Sequence, residues 1–291
     1  GYEAMLAEAR KRVFKNGMGF GLRTLASLDS NAGRHDAARK KLEECVRLAR
    51  EEKEGVNEVG ALLYLGVVLT GLRDFNTGLS SLEQARQLAA EIGDIDGEVE
   101  SLHAMRIIYS KLGDFPKVLS LNAQMMEVAQ RSKRKRLILK AEDNTCGFYK
   151  EIGDNQTAAE HCRQALELAE EVGDRVVIGD QLNSYGIALM NMGEQDAAID
   201  AFRRSLRIKE WGGGHVNIAE ALLFKGELEA AAKELQPMGA HHIDMGYYYL
   251  LRGHYDHARE NYKRMLSGDM KDNKFVDTAF AARTGIALAY E

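Results

Sequence analysis

One pattern of residues returns along this chain every 40 positions, and that interval limits the fold more than any other feature. Ala141, Cys146, Tyr149, Ile152-Gly153-Asp154, Ala158, Cys162, Ala165 and Leu168 are followed by Gln181, Gly186, Leu189, Met192-Gly193-Glu194, Ala198, Phe202, Ser205 and Ile208. Moving the frame back gives Leu112-Gly113-Asp114, Leu72-Arg73-Asp74 and Ala32-Gly33-Arg34, so turns at 33, 73, 113, 153 and 193 share one period. Apolar residues on either side of each turn keep helical spacing. One helical hairpin cannot bury its apolar face alone and must stack on its neighbours, so the period is that of a solenoid. The expected fold class is all-α, a right-handed superhelical solenoid of antiparallel helix pairs.

The regularity has limits, and they predict the organisation of the chain. Residues 1–18 have helical spacing without a preceding turn and read as a partial repeat or cap helix. Residues 19–211 hold five regular repeats of about 40 residues. Between repeats, Ile92-Gly93-Asp94 and Val172-Gly173-Asp174 place glycine where a helix ends and aspartate where the next is capped. Residues 212–274 read as two shorter, irregular repeats, with turns at Gly226 and Gly253. Residues 275–291 supply the first helix of a further repeat or a C-terminal cap. Gly212-Gly213-Gly214 reads as a helix terminus or a flexible break, and Pro237 ends a helix with room for about two and a half turns. Changed stacking, with a bend or hinge, is expected between Trp211 and Gly253.

Composition narrows the function. A formal net charge of −5, from 39 basic and 44 acidic residues, argues against a nucleic-acid or anionic-membrane partner. No apolar run reaches the length of a membrane span, and the first residues lack the features of a signal peptide, so an intracellular, cytoplasmic protein is expected. Cys45, Cys146 and Cys162 fall where paired helices cross and read as buried thiols in a reducing compartment, not as redox or metal groups.

Leu65-Gly66 with Leu69, Gly78 and Leu82, Tyr185-Gly186 with Leu189, Ala198 and Phe202, and Met245-Gly246 with Tyr249, Tyr255, Ala258 and Tyr262 resemble the tetratricopeptide repeat across nearly the whole chain. The period departs from that family's 34 residues, which implies longer helices. Repeats of this kind are similar to those of Pins/LGN-type adaptors, kinesin light chains, rapsyn-like scaffolds and bacterial regulator sensor arrays. The resemblance implies that the first helix of each repeat lines a groove for a partner. The matching positions include Arg23, Leu63, Val67, Thr70, His103, Ile107, Lys111, Asn183, Ile187, Met190, Leu223 and Tyr247, with more apolar character after residue 183. The implied partner is another protein, bound through an extended or helical segment, with no direct contact to nucleic acid or membrane. The lysine and asparagine pair of a chaperone-carboxylate clamp is missing from every repeat. A second reading makes the chain a ligand- or peptide-sensing domain of a bacterial transcriptional regulator.

Three constellations compete with this reading. Arg131-Ser132-Lys133-Arg134-Lys135-Arg136 reads as a solvated connection between repeats before it reads as a phosphate-binding patch. His241, His242, His254 and His257 lack the spacing and the completing carboxylate or thiol of a metal site. The three glycines at 212–214 lack the strand and the Lys-Ser/Thr of a phosphate loop. No catalytic motif, metal site or cofactor is expected.

Overall fold

A computed structural model describes residues 22–209, 212–235 and 253–267, together with 246 and 249. No strand occurs among the described residues. The chain divides into two compact units, residues 1–148 and 149–291. The first holds α1 (helical residues 22–31), α2 (His35–Glu52), α3 (Gly55–Gly71), α4 (Phe75–Ile92), α5 (Ile95–Lys111), α6 (Phe115–Ser132) and most of α7 (Lys135–Ile152). The second holds α8 (Asn155–Val172), α9 (Arg175–Asn191), α10 (Gln195–Ile208), α11 (Gly212–Phe224), α12 (Leu228–Leu235) and α13 (Tyr255–Ser267).

The expected turns are where the helices reverse. Gly33, Gly113, Gly153, Gly193, Gly226 and Gly253 all have positive φ, and Arg73 takes the same left-handed form at φ 61°. Gly113 adopts φ 71° freely, whereas a residue with a Cβ pays about 1 kcal/mol for it. Connections between repeats use the same device. Gly93 closes α4 at φ 73° and Asp94 then caps α5, its carboxylate accepting the Gly97 N–H at 3.0 Å. Asp174 caps α9 by accepting from Val176 N at 3.1 Å. Asp74, Asp114 and Asp154 cap the second helices of their repeats in the same way.

The extra residues of the long period lie in the helices, since α3 and α5 have 17 residues and α4 and α6 have 18. The first helices start at Gly55 and Ile95, immediately after the caps. Their cores cross repeat boundaries. In the first unit Ala26, Ala38, Leu42, Leu65, Val68 and Leu69 join α1, α2 and α3. Leu82, Leu102, Ile108, Leu121, Met125 and Leu137 join α4 through α7. In the second unit Leu189, Phe202, Ile218, Leu222 and Leu235 join α9 through α12. A Cβ on Gly66 would sit 2.5 Å from the Leu82 side chain, and one on Gly186 would sit 2.5 Å from Phe202. These glycines let the two helices of a repeat approach closely.

At the irregular end α10 has 14 residues, α11 has 13 and α12 has 8 up to Leu235, after which the described residues break off. Lys209 leaves α10 with extended backbone, and Gly212-Gly213-Gly214 forms the first turn of α11, so the glycines are a helix terminus. Pro237 lies outside the described residues, as do residues 1–18 and 275–291.

All three cysteines are buried, as their crossing positions require. Cys45 is not in a disulfide, and burial pushes its thiol pKa up. Cys146 and Cys162 are not free thiols, which corrects the reading of all three as unbonded. Helix crossings bring backbones close, the condition for forming a disulfide as well as for packing a small apolar group.

Candidate functional site

α3 and α5, the first helices of consecutive repeats, pack on one another. Residues three and four apart share a helix face, so Leu63, Val67 and Thr70 line up on α3 and Glu100, His103, Ala104 and Ile107 on α5. With Tyr64 they line a cleft of about 410 Å³. Its walls are mostly apolar, and Tyr64 and Val67 are 49% and 53% exposed. Tyr64 also borders a neighbouring cleft of about 430 Å³, lined by Arg23, Thr24, Ser27 and Leu28 of α1.

The polar groups of the α3/α5 cleft are fixed from within the first unit. The Asn144 side-chain amide donates to the Lys140 carbonyl at 2.7 Å. Its NH₂ therefore faces that acceptor, and its Oδ1 faces His103 Nδ1 at 2.8 Å. An oxygen there can only accept, so Nδ1 carries the proton and Nε2 of the neutral ring keeps its lone pair. Burial, then the positive charges of Lys140 and Arg106, hold the His103 pKa below its usual value. Glu100 forms an ion pair with Lys140, which leaves this edge of the cleft close to neutral. The Thr70 hydroxyl donates to the Gly66 carbonyl at 2.8 Å.

Five of the sequence-derived groove residues, Leu63, Val67, Thr70, His103 and Ile107, thus meet in one cleft, and Arg23 lines the next. Arg23 also donates to Asn57 at 3.1 Å. The remaining positions lie elsewhere. Lys111 is exposed at the end of α5, outside the cleft lining. Asn183 accepts from Asn217 at 2.8 Å, and Ile187 packs against the core of the second unit. Met190 and Leu223 are 8% and 6% exposed within that core, which removes them as surface anchors and corrects the expectation of a more apolar groove after 183. Their apolar side chains gain more by packing with Phe202 and Ile218 than by facing water. Tyr247 lies outside the described residues.

Tyr64, Glu100 and Ala104 complete the cleft without having been singled out from the sequence. Tyr64 had a signal, since the residues 40 apart in the frame are Thr24, Ala104, Asn144 and Ser184. Asn144 and Asn217 had another, as each stands nine residues before its turn glycine, Gly153 or Gly226. Asn144 bonds His103 and Asn217 bonds Asn183, each partner standing ten residues before the preceding turn glycine, Gly113 or Gly193.

Members of the competing constellations make local contacts, while His241 and His242 lie outside the described residues. Arg131 pairs with Glu98 at 3.2 Å and Arg134 with Asp96 at 2.5 Å, tying the basic connection to the start of α5. His254 and His257 lie edge to face, and His257 also touches Tyr249. Among the described residues no group of three or more His, Cys, Asp or Glu could hold a metal ion, and no helix is long and apolar enough to cross a membrane.

The helix pairs, their turns and their close crossings define a helical-repeat fold similar to that of tetratricopeptide repeat proteins. The tetratricopeptide repeat model matches residues 182–210, and the model described as anaphase-promoting complex subunit 5 matches residues 15–65. Tetratricopeptide repeat protein 29 of Trypanosoma brucei brucei is 25% identical over 134 residues, which are 45% of this chain and 28% of that protein's length. The apo form of RapI superposes with a TM-score of 0.63 at 13% identity, covering 92% of this chain and 98% of RapI. A Rap protein complexed with competence and sporulation factor superposes with a TM-score of 0.59 at 12% identity, covering 94% of this chain and 75% of that one.

Proposed function

We propose that this chain is a non-catalytic interaction module that holds an extended or helical segment of another protein against the first helices of its N-terminal repeats. The observation that carries this reading is the cleft in which Leu63, Val67, Ala104 and Ile107 present apolar surface from two helices, with exposed Tyr64 at its edge. Burying such side chains against a partner yields about 25 cal/mol per Å² of apolar surface, before the costs of association. An amphipathic segment laid across parallel helix faces is a common way of collecting that gain. The fold of the Rap protein that was solved with competence and sporulation factor is compatible with it. The regulator-sensor reading has no separate observation in its favour and is not preferred.

A displayed random-peptide library selected against the whole chain provides the test. Recovered peptides should bind Val67→Arg and Ile107→Arg at least about tenfold more weakly than the parent, because each substitution puts a charge into the apolar wall. Circular dichroism should show the variants still folded. Unchanged affinity in both folded variants would remove the cleft from the account.

A further inference from the structure

The His103 ring opens on the cleft with only one of its nitrogens used. Nδ1 is committed to Asn144, whose own amide is committed to the Lys140 carbonyl. Among the described residues Nε2 has no hydrogen-bond partner, and it is not one of the buried unpartnered atoms, while the side chain lines the cleft. The arrangement leaves one acceptor nitrogen on a side chain that lines the cleft together with Leu63, Val67, Ala104 and Ile107. An acceptor covered by a purely apolar partner would lose water without replacement, at a cost of about 1–3 kcal/mol. A partner that offers a donor at that point avoids the loss.

We infer that His103 is the polar recognition point of this cleft, accepting through Nε2 a hydrogen bond from an N–H or O–H donor on an uncharged, apolar segment of the partner, and that protonation of His103 releases that segment. The inference rests on the proposed docking function and specifies its chemistry and control. The partner is uncharged at this point because Glu100 is already paired with Lys140, so the cleft wall offers no free carboxylate to a basic segment. An acidic segment would gain from protonated His103, the opposite pH response.

The proton works in one direction. Protonated His103 keeps its Nδ1 donor on Asn144, but Nε2 becomes a second donor and meets the partner's donor head on. The charged groups facing the ring are Lys140 from α7 and Arg106 and Glu100 from α5, the two cations opposing protonation and the carboxylate favouring it. α3 contributes the hydroxyls of Tyr64 and Thr70 to the lining, with no carboxylate or basic group. A bound donor on Nε2 stabilises the neutral ring, so by linkage acidification must weaken binding.

Library-selected peptides, bound to the parent chain, His103→Gln, His103→Leu and Val67→Arg at pH 7.5 and in steps down to 4.5, provide the test. The parent should recover peptides rich in apolar residues with a hydroxyl, amide or indole donor. Its affinity should fall as pH drops, while His103→Gln keeps its affinity at acid pH. His103→Leu should bind these peptides about three- to tenfold more weakly at pH 7.5, the equivalent of one hydrogen bond. Circular dichroism at each pH confirms that the fold persists. A fall with pH that survives in His103→Gln, recovery of predominantly acidic peptides, or full affinity in His103→Leu would overturn the role of His103. If Val67→Arg binds like the parent, the docking reading itself fails, which is a distinguishable result.

Discussion

Gly66 and Gly186 stand where the paired helices of a repeat touch, and neither site has room for a methyl group. In each case an added Cβ would fall 2.5 Å from a buried side chain, Leu82 or Phe202. Gly66→Ala and Gly186→Ala should each destabilise the chain by about 1–3 kcal/mol, read as a lower denaturation midpoint in urea. Truncating the packed partner acts through the opposite defect, and Phe202→Ala should cost about 3–5 kcal/mol because its ring is fully buried. His103 supplies a pH signature in stability. Its folded-state pKa lies below the ordinary value, so the neutral ring's contribution is present above the unfolded pKa and is lost as pH falls through the folded pKa. Thermal unfolding should show the parent losing more midpoint temperature than His103→Gln between pH 7 and pH 5. At this scale the resemblance to the tetratricopeptide repeat pointed to Leu63, Val67, His103 and Ile107, which line one cleft. It misassigned Met190 and Leu223, because the fate of an apolar side chain at the edge of a helix depends on what lies beneath it. Met190 and Leu223 share one core cluster with Phe202 and Ile218, a grouping that the local spacing does not reveal.

The helices owe their length to their ends. Glycine or another left-handed residue stops one helix, an aspartate caps the next at α4, α5, α6, α8 and α9, and the connections therefore take only a few residues. Asp94 accepts the Gly97 N–H at 3.0 Å and Asp174 accepts from Val176 and Val177. Asp94→Ala should cost about 1 kcal/mol, with faster amide exchange in the first turn of α5 as the local sign. These ends were legible in the sequence because caps are local chemistry. The pairings that fix polar groups in the cleft were less so, since His103 and Asn144 are 41 residues apart and meet only when consecutive first helices pack. Glu100 and Lys140, paired at nearly the same separation, carry the same lesson: such contacts follow from the repeat interval once the interval is known to bring equivalent positions together.

For the molecule as a whole, stability is held in contacts between neighbouring helices, since each core cluster draws on consecutive repeats. A local defect should therefore spread to its neighbours before it affects distant repeats. Leu102→Ala, which empties a site 1% exposed in the cluster joining α4 through α7, should increase amide exchange in those helices more than in α9 through α12. The same organisation makes a rigid face of first helices available to a partner. The claim that α3 and α5 present that face is tested most directly by methyl NMR of the labelled chain titrated with a library-selected peptide. The account predicts that the largest shifts fall on Leu63, Val67 and Ile107, with Met190 and Leu223 unchanged. Shifts centred on Ile187, Met190 and Leu223, with the α3 and α5 methyls unmoved, would contradict it.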